Sequence, residues 1–162
     1  MSSHNTTRIP VDDPYVALVG KAVYMFAYYE WTIIWIIECF ERGFVDTYSR
    51  GKKPLTSGLV KNKFQKIINI LPTEIPEILQ QDLQDCCDTF DQLINKRNTL
   101  IHAHPCTDIN GSQILSYQGN LSKPLPDMKW PREEVEKIIC EIDVAACDVG
   151  VILDKIRYLL KP

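Results

Sequence analysis

From residue 12 to about residue 43 the chain carries apolar or aromatic side chains on nearly every side of what reads as one long helix. Its start is expected at Asp12 or Asp13, with Pro14 in the first turn. Tyr15, Leu18, Val19, Ala22, Phe26, Ile33, Ile37 and Phe40 recur at helical spacing, and Gly43 marks the end. At roughly 30 residues such a helix spans about 45 Å. Tyr24, Tyr28, Trp31 and Trp35 fall outside a single core stripe. A helix apolar all round has to be covered on more than one side. The rest of the chain must therefore wrap around this helix, and one flank is expected to be covered by a second copy of the chain. The apolar run over residues 23–39 is near the lower length limit for a membrane span and has Glu30 in its middle, so it predicts a buried core helix and no membrane association.

A length of 162 residues suits one domain with one hydrophobic core. Residues 1–10 are polar, read as a flexible N-terminus without a signal peptide, and leave residues 11–162 as that domain. A net charge of −3 excludes indiscriminate nucleic-acid binding but not a local basic patch. The six cysteines, at 39, 86, 87, 106, 140 and 147, form no C-x-x-C pair and no zinc-finger spacing. They predict reduced thiols packed as small hydrophobes in a cytoplasmic protein.

The remaining segments predict a mainly α fold: an antiparallel bundle of four to five helices with a small β-hairpin insertion before the last helix. A second helix, capped by Thr56 or Ser57, would bury Leu59, Phe64, Ile67, Ile68 and Leu71. A third begins near Pro76 and buries Leu79, Leu83, Cys86, Phe90, Leu93, Ile94 and Ile101, ending before Pro105. Asn110-Gly111 signals a hairpin within about residues 105–120, pairing Gln113-Ile114-Leu115-Ser116-Tyr117 with a weaker strand over residues 106–109. Lys123-Pro124-Leu125-Pro126 reads as a surface linker. The last helix starts at Pro131 and buries Val135, Ile138, Ile139, Ile142, Ala146, Val149, Ile152, Ile156 and Leu159.

Chemistry-bearing residues gather where the third helix ends, in Lys96-Arg97-Asn98-Thr99-Leu100-Ile101-His102-Ala103-His104-Pro105. Arg97 lies in line with the buried stripe, so it must be paired, or must line a cavity or an interface. Glu30 has Phe26, Ala27, Ile33 and Ile34 as helical neighbours and also needs a partner; Arg97 or His102 is the natural one, with a structural ion pair elsewhere as the plainer reading. Residues 47–73 hold Arg50, Lys52, Lys53, Lys61, Lys63 and Lys66 and no acid. That block is either a solvated face or, with Lys96, an electrostatic funnel for phosphates. The alternation of His102, His104 and Cys106 supplies too few ligands on too loose a frame for zinc, so no metal or other cofactor is expected.

Arg97-Asn98-Thr99-Leu100-Ile101-His102 resembles the Arg, four-to-six residues, His motif of the HEPN superfamily, including the polar residue after the arginine. The resemblance covers residues 12–160; the hairpin lies outside that family's minimal core. It implies a helical, usually dimeric protein acting as a metal-independent endoribonuclease, in the manner of toxin–antitoxin, phage-defence and RNA-processing enzymes. It implies RNA as substrate, a homodimer, and an antitoxin or other protein as partner. Arg97 would stabilise the phosphate, His102 transfer the proton and Asn98 support both, while His104 satisfies the motif at its longest spacing. The residue types suit the reaction. Histidine titrates at about pH 6.5 and serves as base or acid. Arginine stays charged and holds two phosphate oxygens at once. DNA lacks the attacking 2′-hydroxyl and should be inert. Residues five apart lie about 140° apart around a helix. Either the helix end unwinds before Pro105, or the site is shared across a dimer axis. A non-catalytic dimeric helical module binding a protein partner or a nucleotide is the alternative.

Overall fold

The computed structural model describes residues 11–52, 55–119, 122 and 125–160. The N-terminus at 1–10, Lys53 and the Lys123-Pro124 part of the linker lie outside them. Among the described residues the chain is mainly helical, with α1 (Asp13–Phe40), α2 (Phe44–Arg50), α3 (Ser57–Ile68), α4 (Glu77–Ile101) and α5 (Arg132–Leu159). Three short strands, β1 (His104–Thr107), β2 (Gln113–Tyr117) and β3 (Met128–Trp130), lie between α4 and α5. They form one antiparallel sheet in the order β1-β2-β3. No helix among the described residues is long and apolar enough to cross a membrane.

Helix α1 starts where the sequence says it must. Asp12 caps it by accepting a hydrogen bond from the Tyr15 amide at 3.3 Å, and Pro14 sits in the first turn. It packs most extensively against α5 and also against α3; α4 closes the ring by packing on α3 and α5. Phe26, Tyr29 and Phe90 fill the centre, with Tyr29 edge-on to both phenylalanines at centroid distances of 6.1 and 5.6 Å. The sheet is tied to α1 through Tyr15. Its hydroxyl donates to the Trp130 carbonyl at 2.5 Å and accepts from the Leu115 amide at 3.1 Å.

Several details differ from the sequence-based pattern. The buried stripe of α3 is Val60, Phe64 and Ile67, and Leu59, one position off it, is exposed. In α4 the stripe runs through Leu93, Arg97 and Leu100, which leaves Ile101 outside. In α5, Ala145 and Leu153 are buried, while Ala146 is only partly covered and Leu159 is exposed. Each is a shift of about 100° around a helix whose apolar stripe is wide. Strand β1 lies earlier than expected, at His104–Thr107. The Asn110-Gly111 loop is not a two-residue turn. Asp108 accepts from the Asn110 and Ser112 amides, both at 2.8 Å, and only Gly111 takes a positive φ, +82°. A type I′ turn needs positive φ at both central residues.

Candidate functional site

A corner after α1 builds the site. Gly43 adopts φ +90°, open to glycine at little cost, and lets the chain reverse. The two oxygens of Glu38 accept from the amides of Gly43 at 2.8 Å and Val45 at 2.9 Å, covering the start of α2. These contacts hold the Glu38 carboxyl below the usual carboxylate range. Helix α2 then brings Tyr48 back over α1, where its ring lies 6.1 Å from Trp31 and its hydroxyl donates to Glu30 Oε1 at 2.9 Å. Thr56 caps α3, its Oγ1 accepting from the Leu59 amide at 3.4 Å. With Thr56 in that role, the Ser57 hydroxyl is free to turn inward.

Ser57 joins the two charges that the sequence left without partners. Its hydroxyl donates to Glu30 Oε2 and accepts a hydrogen bond from Arg97 Nη2. Glu30 is 7% exposed and Arg97 half-buried. The guanidinium lies 4.6 Å from the Phe26 ring centroid, a cation–π contact. Burial pulls the Arg97 pKa below its ordinary value, and the nearby Glu30 and Tyr48 oppose that shift. Burial and the hydrogen bond to Glu30 push the Tyr48 phenol up to about 12. Arg97 Nε is buried and has no hydrogen-bond partner among the described residues. Together these side chains line an open cavity of about 220 Å³, with Val23, Ala27 and Ile101 completing its wall.

The helix end does not unwind early. The His102 amide still donates to the Asn98 carbonyl at 3.1 Å, and His102 is the C-cap of α4. Arg97 and His102 therefore leave α4 in different directions, Arg97 into the cavity and His102 to the surface. His104 is exposed in β1, opposite Ser116 of β2. Asn98 is half-buried one residue after Arg97. Thus Glu30 and Arg97 come together, and the two histidines do not line the cavity with them.

The basic side chains are spread out. Lys52 and Lys66 are exposed, whereas Lys61 pairs with Asp91 at 3.6 Å and Lys63 pairs with Glu41. Lys96 pairs with Glu141 of α5 at 2.5 Å and so faces a different groove from Arg97. Among the described residues no group of three or more His, Cys, Asp or Glu side chains is arranged to hold a metal ion. The described cysteines are free thiols. Sequence reasoning missed Ser57, Tyr48 and Phe26 as parts of the site. Ser57 was legible only as a possible helix cap, and the short α2 that carries Tyr48 gave no signal of its own. No protein-family model, no curated protein and no solved structure matches the chain.

Proposed function

We propose that the chain is a metal-independent endoribonuclease, working as a dimer and serving as a toxin or phage-defence effector. The observation that carries this reading is the Arg97 guanidinium, pinned by Ser57 and Phe26 against an open cavity, with Nε lacking a protein partner. A cation held rigidly beside a gap suits a phosphate that gains charge in the transition state. The exposed face of α1 next to the cavity carries Val16, Val23, Tyr24 and Tyr28, an apolar surface suited to a second copy. Because α4 stays helical to Ile101 with His102 as its C-cap, a site using both motif residues takes Arg97 from one copy and His102 from the other.

In that site the substrate's 2′-oxygen bonds to the adjacent phosphorus as the bond from phosphorus to the 5′-oxygen breaks. One imidazole accepts the 2′-hydroxyl proton and a second protonates the departing 5′-oxygen. Arg97 stabilises the crowded phosphate, Asn98 positions it, and Lys52 and Lys66 lie on the surface available to the flanking strand. Glu30, through Ser57, fixes the guanidinium rather than touching substrate.

The test is RNA cleavage in excess EDTA. Products ending in 2′,3′-cyclic phosphate are expected, with single-stranded DNA left intact. Arg97→Ala and His102→Ala should each abolish cleavage, and mixing the two inactive variants should restore part of it. Intact RNA across several substrates, or full cleavage by a His102→Ala/His104→Ala double variant, would sink the reading. A second reading draws on the Glu30–Ser57–Arg97 bridge itself, which already sets an acid beside the guanidinium. On that reading the chain is a non-catalytic dimeric module that binds a protein partner or a nucleotide, and Arg97 is a strut.

A further inference from the structure

Helices α4 and α5 border a cleft lined by none of Arg97, Asn98, His102, Glu30 or Ser57. One cavity of about 310 Å³ is lined by Asp82 and Asp85 of α4, Asp148 of α5, and Tyr29 of α1. It borders a second of about 500 Å³; the two share Thr89, Ala145 and Asp148, and the second extends to the Lys96–Glu141 pair. Three carboxylates face a single cation in the first cavity, Lys155, which reaches Asp82 at 3.4 Å. Asp85 accepts a hydrogen bond from Gln81 at 2.8 Å, and neither Asp85 nor Asp148 has an ion pair among the described residues.

An independent observation sits at the floor of this cavity. Tyr29 is 0% exposed, its ring is fixed edge-on to Phe26 and Phe90, and its hydroxyl has no hydrogen-bond partner among the described residues. Buried polar groups are almost always paired, so an orphaned hydroxyl on a residue that lines a cavity marks a place for a ligand's polar atom. Burial, reinforced by the neighbouring Cys86 and Cys87 thiols and by Asp148, raises this phenol's pKa, so it stays a neutral donor and acceptor.

The surroundings choose among cations. A bare metal ion needs its ligands gathered around one point, and no such group exists among the described residues. Here the carboxylates come from two helices: Asp82 and Asp85 are three residues apart on α4, about 4.5 Å at the helical rise, and Asp148 belongs to α5. The apolar Ala145, Val151 and Ile152 lie among them. Separated negative charges along a partly apolar trough match positive charges separated by methylene chains. We propose that the α4–α5 cleft binds a linear aliphatic polyamine, its ammonium groups against Asp82, Asp85 and Asp148 and one N–H donated to the Tyr29 hydroxyl. The ammonium supplies the donor that the hydroxyl lacks, and the methylenes cover the apolar wall.

The test is titration of the intact chain with spermidine, followed by calorimetry and by thermal unfolding at physiological ionic strength. Magnesium serves as a charge-only control and 1,8-octanediol as a chain-only control. Saturable one-site binding with a raised melting temperature is expected, with neither control competing. Asp148→Asn, at an exposed position, should weaken spermidine by about tenfold, the scale of one lost charge-assisted hydrogen bond. Tyr29→Phe removes a hydroxyl that has no partner, so the ligand-free protein should fold at least as well while its spermidine-induced shift shrinks. The proposal fails if binding is not saturable, if magnesium displaces spermidine, or if Asp148→Asn and Asp85→Asn both bind as tightly as the parent. Preference for a lysine-rich peptide over spermidine would also overturn it, assigning the cleft to a protein partner. If Tyr29→Phe does not fold, the two aspartate variants decide the outcome alone.

Discussion

Arg97 and Glu30 are opposite charges joined through one hydroxyl, and that arrangement separates stability from chemistry at single residues. Arg97→Ala leaves the Glu30 carboxylate buried beside two hydroxyls with no countercharge. It should lower stability by about 3 kcal/mol, read from the urea midpoint. Arg97→Lys keeps a positive charge near Glu30 but loses the planar fork, so most of the stability should return. Under the ribonuclease reading cleavage should not return with it. Recovery of both would place the arginine's role in its charge alone. Ser57→Ala breaks the bridge from both sides and should cost about 1.5–3 kcal/mol, again by urea titration. Sequence made the two charged residues conspicuous because each interrupts an apolar stripe. It did not show what joins them. Ser57 is 27 residues from Glu30 and 40 from Arg97, and a serine near a helix start looks the same whether it caps the helix or turns inward.

At the scale of elements, the corner between α1 and α2 decides whether Tyr48 reaches Glu30. Gly43→Ala places a Cβ in a left-handed backbone and should destabilise by about 1 kcal/mol, measured by thermal unfolding. The Glu38 carboxyl is held below its usual value by the Gly43 and Val45 amides, so its stabilising contribution is present above about pH 4.5 and fades as pH falls below that. Hydrogen exchange at those two amides should quicken under acid conditions before the core of α1 responds. The three long helices were legible because many turns of apolar spacing reinforce one another. Helix α2, seven residues with only Phe44 buried, offered too few turns for a period. Strand β3 is three residues, Met128-Lys129-Trp130, and owes its form to pairing with β2 rather than to any local preference. The one-position errors in α3, α4 and α5 share a cause: periodicity fixes which side of a helix is apolar more firmly than which residue at the stripe's edge is covered.

Across the whole molecule, burial of weak acids sets a limit on the alkaline side. Burial pushes the Cys86 thiol up to about 12 and the Cys87 thiol up to about 11, from an ordinary 9, while the Tyr48 phenol rises to about 12 from 10. In each case the folded chain keeps a proton that the unfolded chain releases. The associated stability is complete below about pH 9 and is lost progressively as pH climbs toward 12. Urea midpoints should fall through that window. A Cys86→Ala/Cys87→Ala variant, less stable at pH 7, should fall less steeply. The sheet bears on the whole molecule in another way. One phenol oxygen, that of Tyr15, is shared between the Trp130 carbonyl and the Leu115 amide, so two strands are buttoned to the opening turn of the longest helix at a single atom. With Tyr15→Phe the button is gone: the Leu115 amide and the Trp130 carbonyl each lose that partner, and the strands keep their place only through the packing of Ile114 and Trp130 into the core.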